Sequence, residues 1–316
     1  MTTLAILAYN EEKSIKKVID TFIDSFDKLI VIDDASRDNT SKILETYSDE
    51  KLTILSNSKN LGAGKSLEIC INHFLETEDD YLVKIDGDGQ FKNNDILKIK
   101  KFIETSNFDF IKCDRFWEKG IEGDIPTIRY FGNAFASFLA KFSTGNWRVN
   151  DPLNGLFGFS KTSLKNFKLP KLFYRYGYPF FLVTHMLNQS SRKEIKVGQL
   201  KNTIIYQEKK KSINPFTMFF KLFWYSLKNY YSKINWKLKY SKLQGSALLD
   251  IVSQLFIFIS FFALFRFFSI RYFSYVGPQG IWFLVFIIFF SFSAISLYLA
   301  LNIENELAQK NFEELN

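Results

Sequence analysis

The chain of 316 residues has room for one large domain, or for one domain with an appendage. Cys70, Cys113, His73 and His185 share no spacing that suits zinc, haem or a redox pair, so buried thiols in a reducing compartment are expected. The net charge of +8 is uneven: a basic run between residues 192 and 242 is opposed only by Glu194 and Glu208, and an apolar stretch follows it directly. That order favours an anionic membrane surface as partner over nucleic acid.

The N-terminal apolar run has no basic flank and is cut short by Tyr9-Asn10-Glu11-Glu12, so no secretory signal is expected there. The first hundred residues then alternate. Residues 4–8, 29–33, 52–55, 81–85 and 108–113 read as strands. Residues 12–26, 40–47, 65–75 and 95–104 read as the helices between them. This alternation predicts βαβ units and a mostly parallel sheet. Polar clusters close the strands: residues 10–12, Asp33-Asp34, residues 60–64 and residues 86–88. Open α/β sheets bind ligands at those carboxyl ends.

Beyond residue 126 the alternation loosens. Residues 128–142 read as an amphipathic helix, 150–158 as turns and 178–187 as a helix. Residues 214–227 are aromatic with basic neighbours, which suits a helix lying along a membrane interface or an ordinary packing helix. Residues 281–301 carry no charge over a span-length stretch and predict a transmembrane helix. Residues 247–265, interrupted by Asp250 and Gln254 and closed by Arg266, predict a second. The lysine-rich flank predicts that the preceding part faces the cytoplasm, and two spans would return the tail there.

The densest chemistry lies in YLVKIDGDGQ, residues 81–90. Asp86 and Asp88, one residue apart, face the same side of an extended chain. Gly87 and Gly89 leave room for close approach of a ligand. Hard oxygen ligands at a strand end suit Mg²⁺ or Mn²⁺ carrying a substrate diphosphate, although Asp and Gly also make a plain polar turn. At the rim, Asp33 and Asp34 can accept hydrogen bonds from a base or ribose, and Glu11 can touch the nucleotide or stabilise a helix start. Asp38 reads as a helix cap. GAGKS at residues 62–66 resembles a P-loop ending, which would make an NTPase, but Lys59 stands where that loop needs glycine. Asn60, Gly62 and Gly64 still allow a close turn into a helix N-terminus that favours anions.

Taken together, AYNEE at 8–12, DDASRDNT at 33–40, NLGAG at 60–64 and DGDGQ at 86–90 resemble family 2 glycosyltransferases of the GT-A fold. The nearer likeness is to polyprenyl-phosphate glycosyltransferases, the dolichyl-phosphate mannose and glucose synthase group. It covers about residues 3–165 and does not specify the sugar. The resemblance implies an α/β GT-A nucleotide-diphospho-sugar transferase domain with a mostly parallel sheet, followed by C-terminal transmembrane helices. It implies metal ligands at Asp86, Asp88 and Gln90. It implies nucleotide contacts from Ala8, Tyr9, Glu11, Asp33, Asp34, Gly62, Gly64, Asp86 and Gly87. The stretch from Arg115 through Arg129 to Asn133 would lie near the lipid phosphate. DPLNG at 151–155 is similar to the family's Asp-Pro-x-Ser-Gly, with Asn154 in place of serine. Lys65 stands where alanine or glycine is usual.

The expected organisation is a GT-A catalytic domain over 1–210, a basic amphipathic juxtamembrane segment over 211–245, two transmembrane helices over 246–302 and an acidic cytoplasmic tail over 303–316. The expected reaction is inverting transfer of one sugar from a UDP- or GDP-linked donor to a membrane polyprenyl phosphate, with Mg²⁺ or Mn²⁺. A metal on Asp86 and Asp88 would neutralise the leaving diphosphate. Arg115 and Arg129 suit positioning of an anionic acceptor, and Asp151 could orient that acceptor, act as base or cap a turn. The setting expected is a multi-pass protein of the inner, cytoplasmic membrane serving the cell envelope. A homo-oligomer is left open. The rivals are transfer to a glycolipid or glycan, or a non-catalytic membrane-anchored binding protein.

Overall fold

The structure, a computed structural model, describes residues 1–116, 121–122, 127–193, 195–205, 214–240, 242–272 and 277–315. The expected boundary at 210/211, with Lys209, Lys210 and Lys211, lies outside these residues. The chain forms two compact units. The first comprises Met1–Lys141, Arg148–Trp224 and Asn311–Asn316, and the second Phe142–Trp147 and Tyr225–Lys310.

The first unit follows the expected alternation: β1 (Thr2–Ala8), α1 (Ile15–Phe22), β2 (Lys28–Asp33), α2 (Thr40–Leu44), β3 (Leu52–Ser56), α3 (Ala63–Glu76), β4 (Tyr81–Asp86), α4 (Asn93–Thr105) and β5 (Phe110–Asp114). Then come β6 (Ile121–Glu122), α5 (Thr127–Thr144), β7 (Phe157–Ser160), α6 (Lys161–Leu164), α7 (Tyr178–Lys193), β8 (Val197–Lys201) and β9 (Ile204–Ile205). Three long helices, α8 (Pro215–Lys239), α9 (Gln244–Tyr272) and α10 (Gln279–Ala308), precede β10 (Phe312–Leu315).

An eight-stranded sheet runs β10-β8-β5-β7-β4-β1-β2-β3, and only β7 is antiparallel to its neighbours. Every residue of β1 is buried, as a central strand covered on both faces requires. Helix α1 turns Ile15, Val18, Ile19 and Phe22 onto that core. The reversal at β7 brings residues 150–156 back beside the end of β4, and thereby composes the site.

The edge strand β10 comes from the far end of the sequence. Phe312 and Leu315 are buried while Glu313 and Glu314 face out. Leu315 fits where Gly198 of β8 lacks a side chain, since a Cβ there would lie 2.8 Å from Leu315 Cδ1. Nothing in FEEL announces a strand. Its order of apolar, Glu, Glu, apolar lacks the period-2 alternation of a strand, and only a waiting sheet edge makes so short a segment extended.

In the second unit α9 and α10 pack along a stripe of small residues, with Ser253 and Ser293 exchanging hydroxyl-to-carbonyl bonds of 3.0 and 2.9 Å. Phenylalanines such as Phe258, Phe261 and Phe292 point outward. Both helices are long and apolar enough to cross a membrane. Lys237 of α8 pairs with Asp250 and Glu304, and Lys233 with Glu304 at 2.6 Å, so the buried charges balance.

Candidate active site

A cavity of about 650 Å³ opens at the carboxyl end of β4. Its wall carries Asp86, Asp88 and Gln90 from the β4 turn, Tyr9 after β1, Asn60 and Gly62 before α3, Arg115 after β5, and Gly155, Arg175 and Tyr178 from the returning chain. A second cavity of about 830 Å³ lies on the α1 and α4 side and shares Asp86, Asp88 and Phe91 with the first. Asp86 and Asp88 thus line both, and Gln90 lines the first, so their side chains offer carboxylate and amide oxygens at this wall. This donor set fits Mg²⁺ or Mn²⁺. Among the described residues no cluster of three or more His, Cys, Asp or Glu side chains forms a closed site, so an ion here would take further oxygens from a substrate.

Behind Asp86 sits Lys84, fully buried on the same face of β4. Its ammonium donates to Asp86 Oδ1 at 2.7 Å, to the Gly155 carbonyl at 2.9 Å and to the Tyr178 hydroxyl at 2.6 Å. Burial opposes the charge, but Asp86 and Tyr178 outweigh it, and the Lys84 pKa lies above its ordinary value. The Tyr178 phenol is pushed up to about 12 by burial and by Asp86. A Cβ on Gly155 would stand 2.7 Å from Asp86 Oδ2, so any larger residue displaces that carboxylate.

Residues 150–155 are held from several sides. Lys112, buried on β5, donates to the Asn150 carbonyl and, at 3.0 Å, to Gln199 Oε1. Asp151, in left-handed backbone at φ 44° and fully buried, accepts both Nε and Nη2 of Arg115 at 2.7 Å, with the Arg115 amide at 3.0 Å. Burial raises its pKa, but Arg115 and Lys112 more than offset this and hold the carboxyl below the usual range. The guanidinium of Arg115 therefore stands at the cavity in a fixed bidentate pose. Asn154 donates to Asp151 and to Asn202 and accepts from the Leu156 amide at 3.0 Å. It acts as a strut at the position where the family's Asp-Pro-x-Ser-Gly segment carries serine.

On the β1–β3 side the carboxylates are spent on loops. Asp34 is buried and accepts the amides of Leu61 and Gly62 at 2.8 and 2.7 Å, and Asn57 Nδ2 at 2.8 Å. Asp33 is buried and accepts from Ser36 and Ser41. Ala8 is buried and Gly87 lies against the Leu7 carbonyl, so both shape the floor without lining either cavity. Glu11 lines the larger cavity. Gly62 and Gly64 are pressed by residues 173–175: a Cβ on Gly62 would meet the Tyr174 carbonyl at 2.6 Å, and one on Gly64 would meet that carbonyl at 2.9 Å. The Lys65 amide donates to the Tyr174 carbonyl, and its ammonium pairs with Glu68 at 2.5 Å. The start of α3 is thus capped by protein, and Lys65 is not a phosphate-facing P-loop lysine.

The structure gathers Asp86, Asp88, Gln90, Tyr9, Gly62 and Arg115 around one cavity. Asp151 stands behind Arg115, while Asp33, Asp34, Ala8, Gly64 and Gly87 support the rim. Arg129 is exposed on α5 and lines neither cavity. Sequence reasoning missed Lys84, Tyr178 and Arg175. Arg175 reaches the cavity because Asn60 holds its guanidinium through Oδ1 at 2.8 Å and its carbonyl at 3.1 Å. The pattern offered no signal for it.

Residues 3–167 match the family described as Glycosyl transferase family 2. The chain belongs to that family and is a glycosyltransferase. The UDP-N-acetylglucosamine--dolichyl-phosphate N-acetylglucosaminyltransferase of Methanococcus voltae is 30% identical over 177 residues, 51% of this chain and 70% of that protein. The human dolichyl-phosphate beta-glucosyltransferase is 26% identical over 114 residues, covering 31% of this chain and 34% of that one. Among solved structures, S. aureus TarS 1-349 aligns at 12% identity with a TM-score of 0.45, over 98% of this chain and 91% of that chain.

Proposed function

We propose that this glycosyltransferase moves one sugar from a nucleotide sugar to a polyprenyl phosphate, with inversion, at the cytoplasmic face of a membrane. The observation that carries the reading is that Asp86, Asp88 and Gln90 line the same cavity as Arg115. One group suits a metal-bound diphosphate and the other an anionic acceptor. The names of the Methanococcus and human relatives, both acting on dolichyl phosphate, support that acceptor class.

In this reading Asp86, Asp88 and Gln90 hold Mg²⁺ or Mn²⁺, which when bound neutralises charge on the departing nucleoside diphosphate. Arg115, oriented by Asp151, holds the acceptor phosphate, and Arg175 adds positive charge at the same rim. An acceptor phosphate oxygen attacks the anomeric carbon as the bond to the diphosphate breaks. The acceptor is already anionic near neutral pH, so no strong base is required, and Asp151, paired and buried, serves orientation. Asp34 and Asp33 keep the nucleotide-side loops in place.

The membrane part of the proposal rests on α9 and α10 and on β10. The chain leaves the first unit before the two apolar helices and rejoins its sheet after them. Two spans satisfy that path, with both flanks in one compartment, and the basic run before α9 favours the cytoplasm. The test is purified protein in detergent with undecaprenyl phosphate, Mn²⁺ and a panel of labelled UDP- and GDP-sugars. Label entering the lipid phase from one donor supports the reading. Label reaching only a glycan or glycolipid from added native membranes replaces the acceptor.

A further inference from the structure

Lys84 is a buried cation at the heart of the site that the reaction as described does not use. An ammonium has three donors, and here all three are taken: by Asp86, by the Gly155 carbonyl and by Tyr178. Its partners come from three separate stretches of chain, each lining the cavity. Asp86 is thereby committed through Oδ1, with Oδ2 turned toward Gly155.

We infer that Lys84 is a positioning residue with two effects, an inference that rests on the reading of Asp86 as a donor-side metal ligand. First, it is a permanent counter-charge that competes with a divalent ion for Asp86, so metal binding is weaker than the carboxylates alone would make it. Second, it ties the donor carboxylate to the acceptor loop. The path runs from Asp86 through Lys84 to Gly155, and along that loop to Asp151 and Arg115. A weakly held ion, completed by the incoming diphosphate, would leave with the product diphosphate rather than remain behind.

The test measures Mn²⁺ affinity by electron paramagnetic resonance on the full-length protein, without acceptor, for wild type, Lys84→Met, Lys84→Gln and Lys84→Arg. Thermal melting without metal is read alongside. Removing one unit charge a few ångströms from the ion predicts Mn²⁺ binding on the order of tenfold tighter in both neutral variants, with Lys84→Arg near wild type. In transfer assays the neutral variants should also lose kcat and gain KM for the acceptor, because the loop is released. Equal Mn²⁺ affinity across the set, or weaker binding in the neutral variants, overturns the inference. If the neutral variants do not fold, Tyr178→Phe removes one acceptor, concentrates the ammonium on Asp86 and should weaken Mn²⁺ binding; unchanged affinity there also overturns it. Because no acceptor is present, a protein that binds Mn²⁺ normally but transfers nothing to a lipid phosphate defeats the proposed function and not this one.

Discussion

Replacing Asp151 by Asn keeps the shape of the side chain and removes the charge that Arg115 is built around. Two guanidinium bonds of 2.7 Å and an amide bond of 3.0 Å end on this buried carboxylate. Breaking a buried pair costs about 3–5 kcal/mol. Arg115 keeps 22% of its side-chain surface exposed at the cavity, so water recovers part of that cost and about 2–3 kcal/mol is expected. For a unit of this size that is a fall of roughly 5–10 °C in melting temperature. The sign with pH follows from the depressed pKa of Asp151. A carboxyl lowered in the folded state stabilises above its unfolded value of about 3.9, and that stabilisation is lost as pH falls through the lowered value. The gap between wild type and Asp151→Asn should hold from about pH 5 to 8 and narrow below about pH 4. Differential scanning fluorimetry in detergent across that range reads both effects. A variant melting within about 1 °C of wild type at pH 7, or a gap that does not shrink between pH 5 and 3, would refute the argument.

Three further outcomes follow from the same geometry. Gly155→Ala places a methyl 2.7 Å from Asp86 Oδ2, so the carboxylate must move by about half an ångström. Transfer should drop by roughly 10–100-fold while stability falls by only about 1–3 kcal/mol, and transfer at the wild-type rate would contradict this. Asp88→Asn keeps the acceptor for the Gln90 amide at 3.2 Å. It should melt like wild type yet lose Mn²⁺ binding and transfer, and retained turnover with unchanged divalent dependence rejects Asp88 as a ligand. Leu315→Ala empties the pocket beside Gly198 and should cost about 1–3 kcal/mol in thermal melting, whereas Glu314→Ala on the exposed face should cost under about 0.5 kcal/mol; equal effects would show that β10 is not docked.

Strands β1 to β5 were legible because they are short apolar runs that give way to polar residues such as Asn10, Asp33, Ser56, Asp86 and Asp114, and the helices between them have one apolar face. The strands that escaped notice were those whose stability comes from elsewhere. β7 is four residues long and antiparallel between β4 and β5, β8 is paired by β5 on one side and β10 on the other, and β10 needs an edge supplied more than a hundred residues upstream. Alternation placed the acidic pair on one side of an extended chain, but β4 ends at Asp86 and Asp88 lies in the turn after it, so the turn rather than the pleat brings Asp88 to the cavity. Lys84 could not be read from the sequence, since a lysine in a strand ordinarily signals an exposed face, and its partners Gly155 and Tyr178 lie 71 and 94 residues away. Gly62, at φ 95°, uses the freedom read for it and lines the cavity, whereas Gly64 is an ordinary helical residue of α3 whose smallness is required by the chain at 173–175 pressing on it. Asp33 and Asp34 sit at the predicted strand end, but their donors come from the loops they close.

The claim that the acceptor is a lipid phosphate is tested most directly by offering one purified preparation two acceptors of equal chain length, a polyprenyl phosphate and the matching polyprenyl alcohol. The account predicts sugar transfer to the phosphate alone, lost when Arg115 is replaced by Ala. Equal transfer to the alcohol, or full transfer to the phosphate without Arg115, would contradict it.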